Sequence, residues 1–384
     1  MMRWKAGNRI TLLRNGTEFF PALAASIEAA QREIYIQTYI YELDATGTMI
    51  GEKLKAAAAR GVVVNLFLDG FGSRKLPPEY VLELEAFGVK VMYYRPKISA
   101  WSFKRSRLRR LHRKVSVFDG QHAYVGGINI IDDMNVPSNL DAPRVDYAVR
   151  VDGALVFDIH ASVRKLWRRL AWMHLREVEA FPSLPAPLFI NNGMRAAFVV
   201  RDNVLHRHDI ERGYLKAIGK ARVEIIIASA YFVPGKKFRQ ALIKAAQRGV
   251  RVRLLLQGRM EYWLMFATHE VYGLFLRHGI EIYEYRASFM HSKVAVTDSR
   301  WATVGSSNLD PFSLLLAREA NIMVQDKTFN AQLKADLEQA IEEKSIKVRP
   351  EDWSRRHVFK RVFSLLVYIV VRLMIGLFGL KEKQ

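Results

Sequence analysis

Read from the N-terminus, the apolar positions switch between two periods. A helical spacing over residues 17–31 leads into Glu33-Ile34-Tyr35-Ile36-Gln37-Thr38-Tyr39-Ile40, whose alternation predicts a strand. A helix through residues 51–60 stops at Gly61. The β-branched run Val62–Leu68 then predicts a buried strand, and Val89–Tyr94 another after Gly88. The same plan returns later, with a helix over residues 209–220, a strand Val223–Ala228, a helix over 236–248 ending at Gly249, and strands Val250–Leu256 and Ile280–Tyr285. Arg60-Gly61-Val62 matches Arg248-Gly249-Val250, and Tyr39 is matched to Tyr231, at offsets of 188 and 192. Helices alternating with buried strands specify an α/β fold. Two such units predict two pseudo-symmetric lobes, residues 1–180 and 188–348, joined by the Pro-rich stretch 181–187.

The repeat ends, both times, in the same polar constellation. His112, Lys114, Asp119, Gly126, Gly127 and Asn129 recur as His291, Lys293, Asp298, Gly305, Ser306 and Asn308, at a constant offset of 179. A single His-x-Lys on a strand is an ordinary surface pair, whereas one spacing kept twice in a duplicated chain points to shared chemistry. Residues two apart on a strand face the same side, so each His and its Lys point together. Asp119-Gly120 and Asp298-Ser299 suit hairpin turns. The small residues Gly126, Gly127, Gly305 and Ser306 suggest room for a bulky anion against the backbone. His122, His160 and His206 have no counterpart and read as solvated or satisfied.

Composition narrows the choice. Half of the 384 residues are apolar and a quarter charged, which excludes a disordered chain and a polytopic membrane protein. Zero Cys excludes disulfides, thiolate metal sites and a Cys nucleophile. No secretory leader is expected, because residues 1–5 are charged and no long apolar stretch follows. A net charge of +21 calls for a polyanionic partner, a lipid surface or nucleic acid.

The duplicated motif resembles the signature of the phospholipase D superfamily, over roughly residues 7–324. Within it, Ile282-Tyr283-Glu284-Tyr285-Arg286, the run from Trp301 to Asp310, Arg201-Asp202-Asn203 and Asp209-Ile210-Glu211-Arg212 resemble the shorter, B-type bacterial cardiolipin synthases. The resemblance implies two lobes, each a mixed sheet flanked by helices, with both motifs meeting in one cleft. It implies a catalytic set of His112, Lys114, Asp119, His291, Lys293 and Asp298. It implies phosphatidyl transfer from one phosphatidylglycerol to another with release of glycerol, at the cytoplasmic face of a bacterial inner membrane. One imidazole attacks the phosphodiester to give a phosphohistidine and the other protonates the leaving alcohol. By analogy with two-motif relatives, His112 is the nucleophile and His291 the acid. Lys114, Lys293, Asn129 and Asn308 supply charge and donors to the phosphate oxygens. A supporting carboxylate is implied for each imidazole, Glu319 for His291 and Asp146 for His112. No cofactor and no metal are expected, since no cluster of acidic and His residues has metal-ligand spacing. The rival readings are a phospholipase D-type hydrolase of phospholipid or single-stranded nucleic acid, and an inactive membrane- or nucleic-acid-binding module.

Two segments bear on the membrane. From Arg95 to Lys114 there are nine Lys or Arg and no acid, with Trp101 and Phe103 among them. Arg105, Arg107, Arg109 and Arg110 are therefore expected to meet anionic lipid. At the other end, residues 353–384 contain the stretch Val362–Leu380, nineteen residues whose single charge is Arg372. As a helix it would be about 28 Å long, just short of a bilayer core. Arg372 near its middle, on a stripe with Arg361, favours a helix lying in the interface.

Overall fold

The computed structural model describes residues 2–95, 109–136, 142–176, 182–202, 205–259, 264–309 and 317–351. The tail from 352 onward, with Arg361 and Arg372, lies outside the described residues, as do Arg105 and Arg107. In the first half the strands are β1 (Lys5–Arg14), β2 (Glu33–Thr38), β3 (Val63–Asp69), β4 (Lys90–Tyr94), β5 (Arg110–Leu111), β6 (Lys114–Phe118), β7 (His122–Gly126) and β8 (Tyr147–Gly153). Its helices are α1 (Asn15–Ala29), α2 (Ala45–Ala59), α3 (Pro78–Ala86) and α4 (Val156–Met173). The second half has β9 (Met194–Arg201), β10 (Glu224–Ser229), β11 (Arg251–Gln257), β12 (Glu281–Tyr285), β13 (Lys293–Thr297), β14 (Trp301–Gly305), β15 (Ala317–Gln325) and β16 (Ser345–Lys347). Its helices are α5 (Asp209–Lys220), α6 (Lys236–Gln247), α7 (Leu264–Leu276) and α8 (Lys327–Lys344).

The α/β duplication is present, and its strands form one continuous path. From one edge the order is β4-β3-β2-β6-β7-β8-β1, then β9-β15-β14-β13-β10-β11-β12-β16. The second sequence mirrors the first about the antiparallel β1–β9 pair. The periodicity missed both central strands, because Lys5, Asn8, Arg9 and Arg14 in β1 and Arg195 and Arg201 in β9 interrupt their apolar pattern. Helix α2 starts earlier than its apolar spacing suggests, because the Asp44 side chain caps it by accepting from the Gly47 N–H at 3.0 Å.

Strand register corrects the internal alignment. Thr38 Oγ1 donates to the Ile40 carbonyl and Ser229 Oγ to that of Tyr231, while Tyr41 bridges Ile130 as Phe232 bridges Leu309. Tyr39 therefore corresponds to Ala230, and Tyr231 to Ile40. The offset is 191 at this strand and 188 at Arg60-Gly61-Val62, a difference of three residues that matches the greater length of α2 over α6, so no single offset holds.

A core shared by both halves lies on one side of the strands. Val115, Val125 and Val149 join Val294, Val304 and Ile322, with Val163 of α4 and Leu333 of α8. Separate outer cores hold α1–α3 against the first half (Ile34, Leu54, Leu84) and α5–α7 against the second (Tyr214, Leu242, Phe275). Each such fully buried side chain contributes roughly 1.5–3 kcal/mol. Among the described residues no helix is long and apolar enough to cross a membrane.

Candidate active site

Each motif occupies one hairpin. β6 pairs with β7 from Lys114↔Gly126 to Phe118↔His122, and β13 with β14 from Val294↔Val304 to Thr297↔Trp301. Alternation sends Val115 and Val117 into the shared core, so His112 and Lys114 face the other way. The segments just before the histidines cross to the opposite half. Leu111 lies beside Arg318 of β15, where the His112 N–H donates to the Arg318 carbonyl at 3.0 Å. Met290 bridges Val145, and the His291 N–H donates to the Val145 carbonyl at 2.8 Å.

This crossing overturns the carboxylate assignment made from sequence. His112 Nδ1 lies 3.0 and 3.1 Å from the two Glu319 oxygens, and His291 Nδ1 lies 2.7 Å from Asp146 Oδ2. Each imidazole is held by the acid of the other half. Aligning the repeats finds the four residues but presumes that each half closes its own pair. The parallel contacts at Leu111 and Met290 place the next residue, Glu319 or Asp146, against the imidazole from the other repeat. In either pair an Nδ1–H donated to the carboxylate leaves Nε2 free to act as base or nucleophile.

The two pairs differ in detail. Glu319 is buried and accepts a hydrogen bond from Ser306 Oγ at 2.5 Å. Asp146 is approached by Lys293 Nζ at 3.4 Å, and the same ammonium lies 2.9 Å from His291 Nδ1 and donates to the His291 carbonyl. Lys114 Nζ donates to the His112 carbonyl at 2.8 Å and lies over the Tyr39 ring, whose edge meets His112. Burial, reinforced by Lys293, lowers the proton affinity of His291 below the ordinary 6.5, against the opposing pull of Asp146. His112 is lowered by burial too, with Glu319 opposing and Lys114 and Lys293 adding to it. Burial and the neighbouring Lys293 push Lys114 down to about 7. Asp146 would be raised by burial, but Lys293 and His291 outweigh that and hold it below 3.8.

Other motif residues serve the frame. The Asp119 carboxylate accepts the N–H groups of Gln31, Arg32 and Glu33 at 2.8–2.9 Å, and Asp298 those of Arg222, Val223 and Glu224. Both sit at the turn end of the motif strand, away from the imidazoles, with φ of 49° and 50°. The structure therefore does not bring Asp119 or Asp298 to the reacting groups. Asn129 Oδ1 accepts from the Ile40 N–H at 3.1 Å, and Asn308 is buried at the equivalent position. Packing within the protein by itself requires the small residues, since neighbouring protein atoms occupy the positions that their side chains would take. A Cβ on Gly127 would come within 2.3 Å of the Asp146 carboxylate, on Gly126 within 2.4 Å of Ala148, and on Gly305 within 2.2 Å of Asn321.

The sequence reading missed Asp69 and Gln257, equivalent ends of β3 and β11. Asp69 accepts the Leu111 N–H at 2.7 Å and Gln257 that of Met290 at 3.4 Å, so each fixes the residue before a motif histidine. Their common offset of 188, already set by the neighbouring Arg-Gly-Val repeat, was the available signal. Of the surface arginines, Arg109 and Arg110 lead into β5, with the Arg110 guanidinium over the Phe71 ring.

Comparison with known proteins fits this geometry. The family described as "Cardiolipin synthase, PLD-like domain" matches residues 23–148 and 214–341, one match per half. The cardiolipin synthase B of Escherichia coli K12 is 40% identical over 345 residues, covering 87% of this chain and 80% of that protein. Cardiolipin synthase 1 of Bacillus cereus is 27% identical over 95% of this chain and 73% of its own length. In fold, the chain superposes on the phosphatidylserine synthase of Haemophilus influenzae with a TM-score of 0.69 at 13% identity, covering 98% of this chain and 96% of that one. A duplicated motif whose halves complete one another's histidines, matched in both copies and over most of the chain, places this protein in the cardiolipin synthase family of the phospholipase D superfamily.

Proposed function

We propose that the protein is a cardiolipin synthase, a phosphatidyltransferase that joins two phosphatidylglycerol molecules and releases glycerol. The observation that carries this reading is the pair of crossed, carboxylate-held imidazoles flanked by two buried lysines. Together they supply a nucleophile, an acid and phosphate-neutralising charge. His112 Nε2 attacks phosphorus while Glu319 takes the hydrogen bond from Nδ1. The ring gains positive charge as the P–N bond forms, and Glu319, which no lysine among the described residues contacts, stabilises it. His291 gives its proton to the departing glycerol oxygen. Lys293 competes for Asp146, which makes the His291 imidazolium a readier acid. In the second half-reaction neutral His291 takes the proton from a hydroxyl of the second phosphatidylglycerol, whose oxygen attacks phosphorus and expels His112. One phosphodiester replaces another, so no nucleotide is consumed. Asp119 and Asp298 brace the motif strands.

The enzyme works at a membrane, with its basic face and its C-terminal apolar stretch toward anionic lipid at the cytoplasmic face of the inner membrane. The +21 net charge and the segments around residues 95–110 and 353–384 support this. The experiment is product analysis with vesicles of headgroup-labelled phosphatidylglycerol in the presence of chelator. Cardiolipin and labelled glycerol in equal amounts are expected. Phosphatidic acid as the product would assign a hydrolase instead, and turnover of single-stranded DNA a nuclease.

A further inference from the structure

The catalytic groups face one side of the strands, and a second cationic feature lies on the other. Arg113 and Arg318 each adjoin a catalytic residue, His112 and Glu319, and alternation turns their side chains to the α4 side. There they line a cavity of about 900 Å³ between α4, β9 and the N-terminal residues, with Lys165, Arg169 and Arg201. Arg113 is buried, held by Gln37 Oε1 at 2.6 Å and Ser162 Oγ at 3.0 Å. No carboxylate of the described residues pairs with Arg113 or with Arg318, whose Nε donates to the Tyr94 hydroxyl at 3.4 Å and whose guanidinium lies over the Tyr94 ring. The acids on the cavity wall are already engaged. Asp158 pairs with Lys5 at 2.8 Å, Asp209 with His206 and Arg212 at 2.7 and 3.1 Å, and Asp202 accepts the N–H groups of Leu205 and His206.

Two further facts mark this as more than a solvated surface. Burial and the nearby charge of Arg318 push the Arg113 guanidinium down to about 9, the mark of two like charges set close together. The feature also lacks a symmetry mate. The counterparts of Arg113 and Arg318 are Ser292, which donates to the Val145 carbonyl at 3.2 Å, and Val145 itself. Of the two pseudo-equivalent junctions between the halves, only this one carries a pair of guanidiniums, and they have no carboxylate partner among the described residues; guanidinium pairs suit phosphate oxygens.

We propose that Arg113 and Arg318 form a second anion site, distinct from the catalytic histidines, that takes a phosphate group from either a phospholipid headgroup or a free phosphate. Binding there would bridge residues adjoining His112 and Glu319, the two members of one crossed pair. The test titrates inorganic phosphate, and in a separate arm dihexanoyl-phosphatidylglycerol below its micellar concentration, into full-length protein carrying Lys114→Met and Lys293→Met. Those changes remove the catalytic-site ammonium groups. Saturable binding is expected, weakened at least tenfold by adding Arg318→Gln, which leaves the carbonyl that holds His112 in place. Binding of phosphate alone identifies a small anion, and binding of the lipid alone a headgroup; both support the site. No saturable binding of either, or binding that Arg318→Gln leaves unchanged, overturns it. Should the double lysine variant fail to fold, wild-type crystals soaked in tungstate decide the matter. Density between Arg113 and Arg318 supports the site, and density confined to the catalytic histidines overturns it.

Discussion

The two imidazoles of the site are buried among cations, and this fixes the direction of their pH dependence. Both are lowered below 6.5, first by burial, and Lys293 lowers both. The proposed mechanism needs one ring neutral and one protonated. The fraction in that state falls as pH rises through the upper of the two values, which places the alkaline limb of kcat/KM below 6.5. Lys293→Met removes a charge that disfavours both imidazolium forms, so that limb should move to higher pH even as the maximum drops. In kcat the limb should stand higher than in kcat/KM, because the bound phosphodiester anion favours protonation. A limb that stays in place in Lys293→Met would contradict the electrostatic reading. The motif residues themselves were legible from the constant offset of 179 between copies. Which acid serves which imidazole was not, because partner choice depends on strands meeting across the halves.

The motif hairpins separate the carboxylate-held imidazoles, to which the proposed mechanism gives the chemistry, from residues that hold the frame. Asp119 accepts three backbone N–H groups at the entrance of β2, at the turn end of β6. Asp119→Ala leaves the half-buried Glu33 N–H without its partner and gives the two surface N–H groups to water, so it should cost about 1 kcal/mol of stability. It should lower Tm while leaving kcat of the folded protein within a fewfold of wild type. A loss of kcat in the hundreds with unchanged Tm would instead make Asp119 a participant in the chemistry. Gly127→Ala should do the reverse. Its Cβ would meet the Asp146 carboxylate within 2.3 Å, displacing the acid that orients His291. A drop in kcat of about 10–100-fold with a small change in Tm is expected, as for other residues that orient a catalytic ligand. Ser306, the equivalent position, tolerates a side chain because Glu319 is longer and takes its hydrogen bond. The α/β periodicity was read well where strands are buried on both faces, as in β3 and β11. It failed at β1 and β9, where charged residues interrupt the apolar run.

At the scale of the molecule, duplication has brought the two motifs together in crossed His–carboxylate pairs, which the proposed mechanism uses as one centre. The continuous strand path, the shared core and the exchange of Glu319 and Asp146 make each half incomplete without the other. The lobes were legible in sequence as a repeat. Their interdependence was not, since it arises where Leu111 and Met290 pair with the opposite half. The central claim is that this exchange builds one nucleophile, His112, and one acid, His291. The most direct measurement is peptide mass spectrometry, after an alkaline quench, of protein mixed with phosphatidylglycerol vesicles. The wild type and His291→Ala should carry a phosphatidyl group on His112, accumulating in the variant given a good leaving group, and His112→Ala should carry none. An adduct on His291, or an adduct that survives in His112→Ala, would contradict the account.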